Sequence, residues 1–425
     1  MPRRSVLLST AAACLGWLFG AVDTVLLILF QADVAHSLGV DVQQIRVAIG
    51  IGLLGSALGG VTFAQLGDRF GRVRTLAWSV ILYSVATGGI AVAPNVAFLY
   101  AFRFIAGVGT GGEWSVGFAL IAEVWPAAKR GVLGGLVSSM FNFGTFLAIA
   151  LFQSGLGWRS SFGLMLAPAL GVVWLRRQVP ESPVWLELQR RRAAGDVTPE
   201  IANSMRRAPV FAVFSGRLRA ISLKTTLVFA LMNFAFYAFS TMFINYLQFP
   251  TTEGGLALSA RAQAPYQIIL NLGGLVGLLI AGTLSDRHGR RLTYSLFCAM
   301  GAIGYGCLYA IAGRGEGTTL MLTFAVICMS YGIIAVMGSM SSELFPTHLR
   351  SSGPGVCQNL GKGIGGLVGP PLMGALLPSF GFAAVLSAPG LVLVALAGAI
   401  WLLPDVGGRE ISATEHDRYL GEDRT

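Results

Sequence analysis

Charge is what this chain has least of. Only 12% of its 425 residues are Asp, Glu, Lys or Arg, about half the share of a soluble domain. So little charge cannot clothe a water-facing exterior, and soluble globular folds are excluded. Lysine is rarer still, at three positions, Lys129, Lys224 and Lys362. Catalytic signatures are also missing: no HExxH, GxSxG, CxxC pair or phosphate-binding glycine loop occurs. An enzyme is not expected, nor a metal or any cofactor beyond a coupling proton. The five cysteines (Cys14, Cys298, Cys307, Cys328, Cys357) lie inside apolar stretches and read as small buried hydrophobes. No N-x-S/T sequon is present, which suits a bacterial inner membrane.

What the chain has is apolar sequence in long blocks. It is 54% hydrophobic, with a mean hydropathy of +0.68, and the blocks reach the roughly 20 residues a membrane helix needs. Twelve spans are expected, near 11–35, 44–66, 75–92, 97–125, 131–153, 161–179, 222–247, 265–284, 292–313, 319–344, 353–378 and 382–403. The fold class is an all-α polytopic membrane protein. The net charge of +10 falls between the blocks on one side, so it speaks for topology and not for nucleic acid. Arg69, Arg72, Arg74, Lys129, Arg130, Arg287, Arg290, Arg291 and Arg350 share that side. Arg159, Arg261, Arg314 and Arg46 fall on the other. The positive-inside rule then sets both termini in the cytoplasm. Arg3 and Arg4 resemble a signal n-region, but no small-residue cleavage site ends the apolar run, which reads as an uncleaved first helix.

One long polar segment, Pro180 to Ile221, divides the chain. It carries Arg190, Arg191, Arg192, Arg206, Arg207, Arg217 and Arg219, read as topology and contact with anionic lipid or as a site for a regulatory partner. The expected domains are a six-helix half at 1–179, a cytoplasmic basic linker at 180–221, a second six-helix half at 222–404 and a cytoplasmic tail at 405–425. The halves repeat each other. Gly67-Asp68-Arg69-Phe70-Gly71-Arg72 recurs 218 residues later as Ser285-Asp286-Arg287-His288-Gly289-Arg290. Glu123-Val-Trp-Pro-Ala-Ala-Lys-Arg130 recurs 220 residues later as Glu343-Leu-Phe-Pro-Thr-His-Leu-Arg350. Two independent motifs at nearly one offset mean two pseudo-symmetric halves, with a substrate site expected between them at the midplane.

The doubled D-R-x-G-R loop resembles the signature of the Major Facilitator Superfamily, and the resemblance covers nearly the whole chain. Arg103-Phe-Ile-Ala-Gly107-Val-Gly109 is similar to that superfamily's R-x-x-x-G-x-G element. Pro180-Glu181-Ser182-Pro183-Val184-Trp185-Leu186 is similar to its PESPRWL segment, with Val184 in place of arginine. Gly111-Gly112-Glu113-Trp114, Glu123-Val124-Trp125-Pro126 and Gly20-Ala21-Val22-Asp23 resemble the carboxylate (sialate and lactate):proton symporters. Those relatives carry D-A-F-D where this chain has Gly20 first. Metabolite:proton and aromatic-acid symporters are close alternatives.

Four ionisable residues sit inside apolar spans: Asp23, Arg103, Glu113 and Lys362. Such groups are costly in hydrocarbon, so they face a cavity or one another. Asp23 shares a helical face with Gly16 and Gly20, and Glu113 lies between Gly109 and Gly117 at i±4. Both are candidates to carry the coupling proton, or else neutral acids that tie helices together. Lys362 lies about nine residues, roughly 14 Å, into its span, with Gln358 and Asn359 on the same face. It reads as an anion site, or as the partner of Asp23 or Glu113 in an ion pair. The resemblance implies substrate-carboxylate binding there, and the repeat pairs it with Asn142. Arg103 lies nearer the outer end of span four, as a snorkelling anchor or a coupling group. Polar stripes add Asn233, Tyr237, Ser240 and Thr241; Gln267 and Asn271; and Ser138, Asn142 and Thr145. Any of these fits a pocket or interhelical packing equally. Trp17, Tyr237 and Tyr331 are candidate pocket walls. Asp68, Arg69, Arg72, Glu123 and Arg130, with Asp286, Arg287, Arg290, Glu343 and Arg350, bracket the cytoplasmic helix ends. They form a gate that is charged and bistable, or static topology charges.

The leading expectation is proton-coupled symport of a small organic anion, a mono-carboxylate, by a monomer in the lipid bilayer. The alternatives are a sugar, polyol or aromatic-acid proton symporter, efflux of a drug-like compound, or a non-transporting membrane sensor.

Overall fold

The computed structural model describes residues 3–168, 171, 178–197, 209–216, 218–312 and 317–405. Arg206, Arg207, Arg217, Arg314, residues 169–170 and 172–177 of the sixth expected span and the tail after 405 lie outside the described residues. Among the described residues every regular element is helical. The first half holds α1 (Arg3–Leu29), α2 (Gln31–Leu38), α3 (Val42–Phe70), α4 (Arg72–Ile90), α5 (Val96–Gly111), α6 (Glu113–Val124), α7 (Arg130–Gln153) and α8 (Trp158–Gly163). The linker contributes α9 (Pro183–Ala193) and α10 (Pro209–Val213). The second half holds α11 (Leu218–Gln248), α12 (Ala260–His288), α13 (Arg290–Ile311), α14 (Thr318–Ser330), α15 (Ile333–Leu344), α16 (Ser352–Ser387) and α17 (Pro389–Ala399).

Local signals start these helices. Asp41 and Gln44 form a capping box at α3, and Asn95 accepts from the Phe98 amide at α5. Ser182 followed by Pro183 opens α9. The D-R-x-G-R glycines mark the turns between α3 and α4 and between α12 and α13. Gly71 has φ 102° and Gly289 φ 89°, a region that a side chain with a Cβ rarely enters.

Ten helical stretches among the described residues are long and apolar enough to cross a membrane. The difference from twelve has two causes. The sixth span is interrupted by residues 169–170 and 172–177, which lie outside the described residues. The twelfth begins where Gly381, at φ 72° and ψ 169°, breaks α16, and its residues are divided between the end of α16 and the shorter α17. Spans four and ten are each interrupted, at Gly112 between α5 and α6 and at Tyr331-Gly332 between α14 and α15. Gly112 and Gly332 are 220 residues apart, so the break belongs to the repeated unit.

Packing follows the same pseudo-symmetry. The contact of α1 with α7 recurs as α11 with α16, and that of α3 with α5 recurs as α12 with α14. Across the halves, α3 meets α16, α12 meets α7, and α6 meets its own counterpart α15. Leu54, Ile303 and Leu391, 62%, 69% and 77% exposed, belong to an apolar outer surface of the kind lipid covers. The interiors differ. The second half is cored by Phe239, Phe243, Phe324 and Tyr305, whereas the first half buries Asp23, Arg103 and Glu113.

Candidate functional site

The repeated loop motifs form a two-fold latch. Arg72 is fully buried and bidentate to Glu123, with Nε to Oε2 at 3.0 Å and Nη2 to Oε1 at 2.8 Å. Across the halves, Arg72 donates to the Thr347 carbonyl at 2.8 Å, and Arg350 reaches Glu123 at 3.1 Å. Asp68 accepts from the Ser351 and Ser352 amides at 3.0 and 2.7 Å, so a carboxylate of the first half caps α16 of the second. The second motif repeats this in mirror order. Asp286 accepts from the Gly131 and Val132 amides, both at 2.8 Å, and caps α7. Arg290 holds Glu343 at 3.3 and 3.1 Å, and Arg130 approaches Glu343 at 3.5 Å. Buried pairs of this kind cost about 3–5 kcal/mol when one partner is removed, against roughly 0–1 for exposed ones. Arg69 and Arg287, from the same motifs, are exposed and stand outside the latch; Arg69 lies over the Phe70 ring at 5.2 Å.

The PESPVWL segment braces only the first motif. Glu181 accepts from the Arg72 and Val73 amides at 2.8 and 3.1 Å, and the Trp185 indole donates to the Asp68 carbonyl at 2.8 Å. About seven to eight ångströms along α6 from Glu123, Phe118 packs against Gly338 with its ring in the place of a side chain. These two residues are 220 apart, so a residue touches its own repeat mate and marks the pseudo-two-fold axis. Trp114 bridges the halves there, its ring 5.1 Å from Phe118 and 5.4 Å from Phe229, with Trp17 6.5 Å from Phe118.

Deeper in the first half lies a buried acid cluster. Asp23, 1% exposed, is paired with Arg103 at 2.9 Å and accepts from the Thr87 hydroxyl. Arg103 therefore does not snorkel. It is 3% exposed because Asp23 offsets its desolvation and Gly52 of α3 leaves room for the guanidinium. Glu113, 4% exposed, faces Gly16 and Gly20 of α1, with Tyr83 as its hydrogen-bonding neighbour. Its Oε1 has no hydrogen-bond partner.

Lys362 is half-buried in α16, and its Nζ meets the Ser56 hydroxyl at 3.4 Å. Neither Asp23 nor Glu113 pairs with it. Its repeat mate Asn142 donates to the Asn271 carbonyl at 2.9 Å and sits over Gly274, the repeat mate of Ser56. Asn271 donates to the carbonyl of Gln267, which is itself exposed. Gln358 accepts from Asn233 at 3.3 Å. Asn359 bonds the Gly355 carbonyl at 2.8 Å and lies over Gly60 of α3. Tyr237 is half-buried against Gly366, whereas Tyr331 is 5% exposed and shares a 2.9 Å hydrogen bond with Tyr305.

Three participants were not singled out from sequence. Tyr83 and Thr87 sit four apart on α4, with Ser79 one turn earlier, a polar stripe that periodicity could have flagged. Ser56 carries no such signal.

Two pseudo-equivalent halves, joined at one end by buried ion pairs and interrupted in matching helices, have the architecture of a membrane carrier. Comparison with known proteins agrees. The Major Facilitator Superfamily profile matches residues 12–356 and 249–419. The niacin transporter NiaP of Acinetobacter baylyi is 29% identical over 416 residues, covering 92% of this chain and 91% of that one. The sialic acid transporter NanX of Escherichia coli is 26% identical over 374 residues, covering 87% and 86%. The solved proton:xylose symporter XylE superposes with a TM-score of 0.80 at 19% identity, covering 98% of this chain and 99% of that one. The chain belongs to the Major Facilitator Superfamily. It is an integral membrane protein and a secondary transporter of small metabolites, not an enzyme.

Proposed function

We propose that the protein is a proton-coupled symporter of a small organic anion, a mono-carboxylate, and that Lys362 binds the carboxylate. One observation carries this reading. Lys362 is an ammonium on an inner helix, roughly 18 Å along the chain from Arg350, and its partner is a neutral hydroxyl. The acids inside the first-half spans are engaged elsewhere, Asp23 with Arg103 and Glu113 on the face of α1. A cation kept without a counter-ion in such a place awaits an anionic ligand. Niacin and sialic acid, named for two relatives, are both carboxylic acids. A neutral sugar or polyol would leave the ammonium uncompensated, and the likeness to the xylose symporter is one of fold.

In this reading the latch is the cytoplasmic gate, as the K/R bias sets it, and both termini are cytoplasmic in a bacterial inner membrane. The closed latch then corresponds to a carrier open or occluded toward the outside. Opening exchanges the Asp68, Asp286, Arg350 and Arg130 contacts for water. Protonation of Asp23 or Glu113 accompanies substrate binding, and the chain works as a monomer.

The test is thermal stabilisation of the purified full chain by nicotinate, N-acetylneuraminate, benzoate, lactate and xylose at several pH values. At least one carboxylate is expected to stabilise the protein, and Lys362→Ala to abolish the shift. Stabilisation by xylose alone, or an undiminished carboxylate shift in Lys362→Ala, overturns the assignment.

A further inference from the structure

We propose that Glu113, and not the Asp23–Arg103 pair beside it, is the group that loads and releases the transported proton. This rests on the proton-coupled reading above and names the carrier within it. Asp23 is fully engaged by the Arg103 guanidinium and the Thr87 hydroxyl. Protonating it would leave a buried guanidinium without its counter-charge. Glu113 has no such bond. Among the described residues no cation lies within ion-pairing distance of it, and its buried Oε1 lacks any hydrogen-bond partner. The titratable groups that face it are Asp23 from α1 and Tyr83 from α4.

The site is shaped for that carboxyl. Ideal Cβ atoms on Gly16 and Gly20 would stand 3.0 Å from Glu113 Oε1 and 2.7 Å from Oε2. The two glycines thus form a slot on α1 that the acid fills, and only while α6 lies against α1. Glu113 is also the first residue of α6, directly after the interruption at Gly112, and Glu123 of the latch is near the other end of the same 12-residue helix. One short rigid rod joins the acid to the latch over about 15 Å. Glu123 parts from Arg350 when the halves separate, and α6 carries the change at the latch to the surroundings of the Glu113 carboxyl. The cycle balances in protons. The Glu113 carboxylate takes one from water on the far side of the latch while the latch is shut. The O–H bond then breaks to water on the latch side once it opens, returning the carboxylate. The second half has Ile333 at the matching position, so one site serves both halves.

Infrared difference spectroscopy on the full chain in liposomes, without substrate, reads this directly. The C=O stretch of a protonated carboxylic acid is expected to appear as pH falls and vanish as it rises. Glu113→Gln should lose the band and Asp23→Asn should keep it. Gly20→Ala, which crowds the slot yet retains the acid, should shift the band's frequency and titration midpoint. A band that survives Glu113→Gln but is lost in Asp23→Asn overturns the proposal, and so does a wild-type protein without the band. An unchanged band in Gly20→Ala overturns the slot. Failure of carboxylate binding at Lys362 would sink the substrate reading and leave this band in place.

Discussion

Asp68 offers a quantitative handle on the latch. Its two oxygens accept from the Ser351 and Ser352 amides at 3.0 and 2.7 Å across the halves, and these bonds exist only while the latch is shut. In Asp68→Asn one oxygen becomes an NH₂ that faces a donor, and the charge at the N-terminus of α16 is lost. A cap of this kind contributes about 0.5–2 kcal/mol, and hydrogen bonds to charged groups about 1.5–3. The open state recovers part of this by hydrating the carboxylate. A net loss of about 1–2 kcal/mol shifts the ratio of shut to open molecules by a factor of roughly 5–30. Asp286→Asn acts on the same equilibrium from the other half, through the Gly131 and Val132 amides, so the two factors multiply. Spin labels at Arg74 and Leu292, exposed repeat mates just past the two motif turns, report the separation by electron double resonance. The double variant should gain a longer-distance population several-fold larger than that of either single variant. A distance distribution identical to wild type, in a protein that remains folded, would refute the latch.

Gly338→Leu places a side chain where the Phe118 ring lies; overpacking by about 1–3 kcal/mol should open the latch in the same measurement, and Phe118→Ala should restore closure. No rescue in the double variant contradicts the axis contact. Glu181→Gln weakens the charged cap on α4 by about 0.5–2 kcal/mol, so amide exchange at 72–74 should speed up while that at 290–292 does not. Equal rates in variant and wild type would count against the brace. Arg103→Ala strands a buried Asp23, a loss of about 3–5 kcal/mol, which Asp23→Asn should partly restore in thermal denaturation. A single variant as stable as wild type would show that the pair is not held as described.

Hydropathy and the doubled motifs made the architecture legible, because a span is a length of apolar chain and a duplication is an offset. The exceptions are local. Gly381, at a positive φ, breaks the helix in the 379–381 gap expected between the last two spans, whereas the interruptions at Gly112 and Tyr331-Gly332 fall inside expected spans four and ten. The motifs named the latch charges but not their partners. That Asp68 caps a helix of the opposite half depends on which loops meet in space. Arg72 returns to Asp68 at 3.2 Å because Gly71 turns the chain between α3 and α4, whereas Arg69, next to Asp68 on α3, is rotated about 100° from it and ends exposed. In the buried cluster the residue types were readable and the pairing was not. Arg103 looked close enough to the surface to snorkel until Asp23 and Gly52 gave it a place inside. Glu113 drew notice for its glycines at i±4, yet the glycines it rests on are Gly16 and Gly20 of another helix.

A carrier that couples a proton to a carboxylate held at Lys362 accumulates that carboxylate against its gradient. The most direct test is uptake of the carboxylate that gives the largest thermal shift, into proteoliposomes holding the wild-type chain or Lys362→Ala, with and without an inward proton gradient. Accumulation above equilibrium is expected in wild type only when the gradient is present, and none in Lys362→Ala. Accumulation that ignores the gradient, or that persists in Lys362→Ala, would contradict it.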